Sequence, residues 1–321
     1  MSGHHLAIVI VNYRTAGLTI DCLRSLEGQV RQLGAKVYVT DNQSGDDSVD
    51  RIGGAIAANG WSNWAMLMPL ERNGGFAHGN NAAVRMLLQA QPPPQYVLLL
   101  NPDTLAREGA LGELVDFMER HPKVGIAGSR LEDPDGTPQR SAFRFHTIAS
   151  EFEGGVRLGF VSRLFKKKLV APPVSDGVCQ TQWLAGASMI IRRKVFEEVG
   201  LLDEAYFMYF EEVDFCLRAA RARWECWYVP PSRVVHLVGR ASGVTDPRLR
   251  KRRPAYWFES RRRYFVKNHG AVYAMLADAA WAAGFASWRV RRFLQRRQDN
   301  DPPKLLMDFI RHSVFVRGFA A

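Results

Sequence analysis

Glu211, Glu212 and Asp214 crowd three carboxylates into four residues directly after Tyr209-Phe210. On a helix, Glu211 and Asp214 share a face by the i, i+3 rule, while Glu212 points elsewhere. Acids packed beside apolar rings hold a proton more readily, which suits a general base working near neutral pH. A solvated acidic turn facing the chain's many arginines is the plain alternative, although the aromatic and leucine surroundings argue against full exposure. Another acid, Asp103, follows a leucine run and Asn101-Pro102. At a strand end such a carboxylate can bind a hard divalent cation, and Mg²⁺ needs only one or two protein carboxylates when substrate phosphates supply the rest. Asn-Pro-Asp-Thr is also an ordinary turn and helix-cap sequence, and on that tetrapeptide alone the turn is the better reading.

His236, in Val234-Val235-His236-Leu237, is a second candidate for a metal or diphosphate contact, since neutral imidazole is a common ligand. A lone histidine in an apolar stretch fits a satisfied core residue as well. The run Asn73-Gly74-Gly75-Phe76-Ala77-His78-Gly79 opens a helix whose free N–H groups can receive phosphate. It is neither G-x-G-x-x-G nor a P-loop, and a tight loop that needs glycine for its geometry explains it equally well.

These residues need a scaffold, and the chain alternates strand-like with helix-like segments. Residues 6–11 are apolar, 18–26 have helical spacing, and 36–40 form a β-branched run ending at Asp41. A strand over 64–69 and a helix over 77–89 follow, the helix stopping before three prolines. A buried strand over 96–100 delivers Asn101 and Asp103, and Thr104 caps the helix that runs through Leu111, Leu114, Val115 and Met118. Such alternation predicts a mostly parallel sheet covered by helices. Ligands of open sheets sit beyond the carboxyl ends of the strands, where Asn12, Asp41 and Asp103 all fall. Residues 134–180 read as loop-rich, with the cluster Lys166-Lys167-Lys168.

Hydrophobic content of 47% and charged content of 23% exclude disorder as a whole-chain reading. The four cysteines form no C-x-x-C pair, which argues against a disulfide framework or a zinc cluster and fits a reducing cytosol. Residues 6–11 are too short for a signal peptide and lead straight into Asn12, so they read as a first buried strand. The net charge of +11 concentrates late: Arg248, Arg250, Lys251, Arg252 and Arg253, then Arg261–Arg263, then arginines from Arg289 to Arg297. Such a tail suits nucleic acid, anionic lipid or phosphorylated substrates.

Together these segments resemble the inverting family 2 glycosyltransferases of GT-A fold, most closely a bacterial rhamnosyltransferase-like branch. The carrying residues are Ile10-Val11-Asn12-Tyr13, Thr40-Asp41-Asn42-Gln43-Ser44, Asn73-Gly74-Gly75-Phe76, Asn101-Pro102-Asp103, Trp183-Leu184-Ala185-Gly186-Ala187, residues 207–214 and His236. The resemblance implies an α/β, Rossmann-like fold with a mixed, mostly parallel sheet and a C-terminal helical extension. It divides the chain into a catalytic domain over 1–246 and a basic helical extension over 247–321. Asn12, Asp41, Asn73, Gly74, Asn101 and Asp103 are then the nucleotide-sugar side, Asp41 holding the base.

Asp103 is similar to the last acid of the family's D-x-D metal motif, with Asn101 in place of the first. His236 resembles the histidine that completes the site for Mg²⁺ or Mn²⁺. Trp183, Gly186 and Asp214 fall on the acceptor side, as does the stretch 134–180. Glu212 stands where the family places its catalytic base, with Glu211 a rival for that role.

The implied partners are a nucleotide-diphosphate sugar donor, with dTDP-rhamnose first, and a glycan or polyprenyl-diphosphate-linked acceptor. The implied place is the cytoplasm, peripherally on the cytoplasmic face of the inner membrane. Residues 271–288 contain Asp278 and make a poor spanning helix. An amphipathic helix on the inner leaflet fits better, and a helical pair packing on the catalytic domain or in a homodimer competes with it. No nucleic-acid partner is expected, since the tail matches no helix-turn-helix, zinc-finger or RRM signature. Two other readings stay open: a catalytically inactive glycan- or nucleotide-binding relative and, ranked below it, a nucleic-acid-binding protein using the basic tail.

Overall fold

The first apolar run forms β1 (Leu6–Asn12), buried along almost its whole length, as a central parallel strand must be when helices cover both faces of its sheet. The computed structural model describes residues 5–237 and 251–320. After β1 come α1 (Ala16–Leu33), β2 (Lys36–Asp41), α2 (Ser48–Ala58), β3 (Ala65–Pro69), α3 (Gly75–Gln89), β4 (Tyr96–Leu100) and β5 (Thr104–Ala106). There follow α4 (Ala110–Arg120), β6 (Val124–Glu132), β7 (Ala142–Phe143), α5 (Ile148–Val156) and α6 (Gly159–Leu164). Then come β8 (Cys179–Thr181), β9 (Trp183–Leu184), β10 (Ser188–Arg192), α7 (Arg193–Val199), α8 (Glu211–Arg221) and β11 (Glu225–His236). The last elements are α9 (Ala255–His269), α10 (Ala271–Leu294), α11 (Leu305–His312) and α12 (Val314–Arg317).

The chain divides into two units. The first, residues 5–143, 173–207 and 211–237, holds the main sheet in the order β3-β2-β1-β4-β10-β6-β11-β5, with β8 beside β11. Strands β3, β2, β1 and β4 run parallel, as do β6 and β11. Strand β10 is antiparallel to both β4 and β6, and β5 is antiparallel to β11. The mixed, mostly parallel sheet flanked by helices is the fold class expected from the alternation. Its core joins Ile8 and Ile10 of β1 and Leu98 of β4 to Leu23 and Leu26 of α1 and Leu114 of α4. Each such side chain contributes about 1.5–3 kcal/mol on burial.

Two local expectations need correction. Thr104 does not cap the next helix: it lies in β5 and donates to the Asn101 carbonyl at 2.7 Å. Helix α4 starts only at Ala110, after Gly109. The stretch 134–180 is also less loop-like than expected, since it carries α5 and α6. Helix α5 is started by a capping box of Thr147 with Ser150 and needs a distant partner to bury it.

That partner lies in the second unit, residues 144–172, 208–210 and 251–320. Gly155 of α5 faces Gly284 of α10, and a Cβ on either would stand 2.7 Å from the other helix's backbone. Arg261 of α9 is buried between Glu151 of α5, to which its Nη2 donates at 2.7 Å, and Asp278 of α10. Helix α10 thus buries one face within the unit, with Ala274, Ala277, Asp278, Gly284 and Phe285 buried. Among the described residues no helix is long and apolar enough to cross a membrane. Arg248, Arg250 and the boundary expected at 246/247 lie outside the described residues.

Candidate active site

Parallel pairing puts the ends of β1, β2 and β4 on one edge of the sheet. Antiparallel β10 brings its beginning to the same edge, Ser188 pairing with Leu100. Contacts of the first unit then link the edge from one side to the other. Asn101 N–H donates to the Ala187 carbonyl at 3.0 Å, and a Cβ on neighbouring Gly186 would stand 3.0 Å from the Phe76 ring. The Gly75 carbonyl accepts from Asn42 Nδ2 at 2.9 Å, and the Asn42 N–H donates to the Asn12 carbonyl at 2.8 Å.

Asn12 and Asp41 meet directly. Asn12 Nδ2 donates to Asp41 Oδ2 at 2.7 Å, and its Oδ1 accepts from Thr15 and Thr19. Asp41 also accepts from the Ser44 hydroxyl at 2.6 Å and the Ser44 N–H at 2.9 Å. A carboxylate offers about four acceptor positions, so three bonds within the chain leave Asp41 one direction for a ligand. Ser44 and Asn42 carry no role in the sequence reading, yet they fix this corner. The signal was present in the Asp-x-x-Ser spacing, which closes a local side-chain turn.

Asn73 and Gly74 form the turn before α3. Asn73 Oδ1 accepts from the Gly75 N–H at 3.0 Å. Gly75 holds φ of +83°, and a Cβ there would fall 1.7 Å from the Phe207 carbonyl oxygen. That carbonyl accepts from the Phe76 N–H at 3.1 Å, so the glycine turn braces the segment leading to the acidic cluster. Glu204 strengthens the brace by accepting from Asn81 Nδ2 at 2.9 Å and pairing with His78 and Arg85.

Asp103 sits in the turn between β4 and β5, buried, with one oxygen 3.5 Å from His236 Nε2. The pairing of β11 with β5 sets His236 opposite Thr104 and fixes this approach. One carboxylate and one imidazole fit a divalent cation whose remaining ligands are diphosphate oxygens and water. Among the described residues no group of three or more side chains could hold a metal by itself. Cys22 lies under the same turn, and burial pushes its thiol up to about 12, which removes it as a nucleophile.

Glu211 and Glu212 open α8, after Tyr209 and Phe210 with φ of +70° and +69°. Two successive aromatic residues in the left-handed region carry backbone strain of a kind that gathers at functional sites. Glu211 is buried and Glu212 half-buried, and each has a carboxylate oxygen that meets no hydrogen-bond partner among the described residues. Burial, and for Glu211 also the charge of Glu212, raises both carboxyls: Glu211 well above the usual range and Glu212 to about 7.

Asp214 is fully buried and takes a different part. It accepts from Arg218 Nε at 2.9 Å and from the Tyr206 hydroxyl at 3.4 Å. Arg218 also donates to the Leu201 carbonyl at 2.7 Å. Trp183, in β9, stacks on Phe143 with ring centroids 4.3 Å apart. The contacts above join Asn12, Asp41, Gly75, Gly186 and Asn101 along one edge, and Asp103 to His236; none of them joins Glu211 or Glu212 to Asp103.

The chain is similar to known proteins. The profile described as "Glycosyltransferase like family 2" matches residues 4–265. An N-acetylglucosaminyl-diphospho-decaprenol L-rhamnosyltransferase of Mycobacterium tuberculosis is 30% identical over 250 residues, 72% of this chain and 73% of that protein. Rhamnosyltransferase WbbL of Escherichia coli is 28% identical over 165 residues, 50% of this chain and 60% of its own.

Among solved structures, the mannosyltransferase PcManGT from Pyrobaculum calidifontis, in complex with GDP-Man and Mn²⁺, superposes with a TM-score of 0.59. It shares 15% identity, over 98% of this chain and 87% of that one. At that identity the likeness speaks for the fold alone, a GT-A fold. On the strength of the profile match and the mycobacterial relative, the chain belongs to glycosyltransferase family 2 and is a transferase that uses a sugar donor.

Proposed function

We propose that the enzyme moves a deoxyhexose, rhamnose, from a nucleotide-diphosphate donor to a hydroxyl of a cell-surface glycan or lipid-linked acceptor, inverting the anomeric carbon in one displacement. The observation that carries the mechanism is the Glu211–Glu212 pair, two adjacent carboxyls that burial raises and that each keep one oxygen without a hydrogen-bond partner among the described residues. Glu212 is the less buried of the two and so the one open to an acceptor hydroxyl, which makes it the base. Its carboxylate takes the proton of the acceptor hydroxyl as that oxygen forms its bond to the anomeric carbon. The bond from that carbon to the β-phosphate oxygen breaks, and the nucleoside diphosphate leaves.

Asp41 offers its remaining acceptor direction to the base of the nucleotide. Asp103 and His236 hold a divalent cation, Mg²⁺ or Mn²⁺, which when bound offsets the charge gathering on the leaving diphosphate. The names of relatives support the donor and acceptor: one is called an N-acetylglucosaminyl-diphospho-decaprenol L-rhamnosyltransferase and another a dTDP-rhamnosyl transferase. A lipid-linked acceptor puts the work at the cytoplasmic face of the inner membrane, with the enzyme bound there peripherally.

The test is Glu212→Gln assayed with dTDP-rhamnose. Transfer should fall at least a hundredfold, on the order expected for a lost general base, while the thermal shift produced by dTDP with Mn²⁺ stays. Retained turnover would move the base to Glu211. A stronger thermal shift with UDP or GDP than with dTDP would overturn the rhamnose donor.

A further inference from the structure

Helix α6 leaves Phe160 and Leu164 exposed by 75% and 70%, and the end of α10 leaves Phe293 and Leu294 exposed by 78% and 72%. Single exposed apolar residues are ordinary, but large ones gathered together mark an interaction surface. Within the second unit these two helix ends are tied together. The Arg291 guanidinium donates to the Val156 carbonyl, and the Gly155–Gly284 approach holds α5 against α10. Phe160 follows Val156 by four residues and Phe293 follows Arg291 by two, so both emerge at the same end, with Leu158 and Val290 also exposed there.

Cations rim this patch. Arg163, Arg296 and Arg297 are exposed, and Lys166–Lys168 form an exposed turn directly after α6. Among the described residues none of these six makes an ion pair, whereas Arg289 and Arg292, one turn earlier on α10, are both paired with Asp299. Apolar side chains ringed by unpaired cations fit one partner better than others. A second copy would set cation against cation in a chain already at +11. Nucleic acid would satisfy the arginines and leave the leucines and phenylalanines without a partner. An anionic lipid surface takes both, the rings entering the acyl boundary and the cations meeting headgroups.

We propose that this end of the helical unit seats the enzyme on an anionic membrane, with Phe160, Leu164, Phe293 and Leu294 as the inserting side chains. The proposal rests on the membrane placement given above and deepens it by naming the surface; it does not depend on which sugar is moved. The experiment is cosedimentation of the whole protein with vesicles of phosphatidylcholine alone or mixed with phosphatidylglycerol. The wild type should partition onto the mixed vesicles, less so at high salt. The double variant Phe160→Asp/Phe293→Asp should lose about tenfold or more of that partitioning, with melting temperature and donor hydrolysis unchanged. Arg296→Glu/Arg297→Glu should weaken it in the same direction.

A double aspartate variant that sediments like the wild type would overturn the proposal. So would a wild-type dimer in analytical ultracentrifugation that this variant dissociates, with no vesicle binding by either. Glu212→Gln should sediment as the wild type does, so the docking surface is judged apart from the chemistry.

Discussion

At the start of a helix an ionised carboxylate normally gains about 0.3–1 kcal/mol from the backbone dipole. Glu212 sits at such a position, yet its carboxyl rises from 4.5 to about 7, a preference for the neutral acid of about 3 kcal/mol. Burial therefore outweighs the dipole. A base must be ionised, so kcat/KM of the wild type should climb as pH rises through about 7 and then level off, measured across pH 5.5–8.5 in a buffer series. A profile flat through that range would remove Glu212 from the role.

The same residue has a consequence for stability. Its folded value lies above its unfolded one, so its contribution is fully present below about 4.5 and is lost as pH rises through about 7. Glu212→Gln abolishes this loss. The melting temperature of the variant should exceed that of the wild type at pH 8 by more than at pH 5, a difference readable by calorimetry.

Between residue and fold, the decisive element is the turn from Asn73 to Phe76, where α3 begins against the Phe207 carbonyl. Gly75→Ala must relieve both a φ of +83° and a contact of 1.7 Å with backbone. Strain of that kind costs about 1–3 kcal/mol for the dihedral alone, and displacement of the neighbouring chain adds to it. Because the displaced chain leads to Glu211, the variant should lose turnover as well as several degrees of melting temperature, whereas Gly54→Ala, in an open stretch of α2, should lose neither.

The turn also shows how far the sequence could be read. Strands β1, β2 and β4 were legible because a buried parallel strand is a short apolar run, and β3, at the edge and largely unburied, because Met66-Leu67-Met68 is apolar all the same. The end residues Asn12, Asp41 and Asp103 followed from them. Strand β5 was not legible: Thr104-Leu105-Ala106 is three residues long and pairs with β11, which lies far along the chain. Helix α5 was missed for a related reason, since its Gly154-Gly155 pair reads as a loop until Gly284 is seen against it. The Arg218 clamp on Asp214 has helical i, i+4 spacing, but only the fold reveals that its other bonds go to the loop at residues 199–201.

Over the whole molecule, the two units are stabilised by different means, and this difference can be tested. The first rests on a broad aliphatic core around the sheet. The second has a small aromatic cluster of Phe258, Phe285, Leu305 and Phe309 together with the buried charges of Arg261, Glu151 and Asp278. The Arg261 and His146 groups beside Glu151 overcome the effect of burial and hold its carboxyl down at about 2. A lowered value contributes stability above about 4.5 that is lost as pH falls toward 2.

Removing the cation should expose this dependence, because Arg261→Met leaves Glu151 and Asp278 buried without their common partner. Breaking a buried pair in this way costs about 3–5 kcal/mol, a large share of what a unit of this size has to lose. Asn12, Asp41 and Asn73, the residues proposed above for the nucleotide, belong to the first unit. Limited proteolysis of Arg261→Met should therefore cut early within 144–172 and 251–320, while the thermal shift on adding dTDP with Mn²⁺ persists. Cleavage spread evenly over both units, or a variant as resistant as the wild type, would show that the buried charges do not hold the helical unit together.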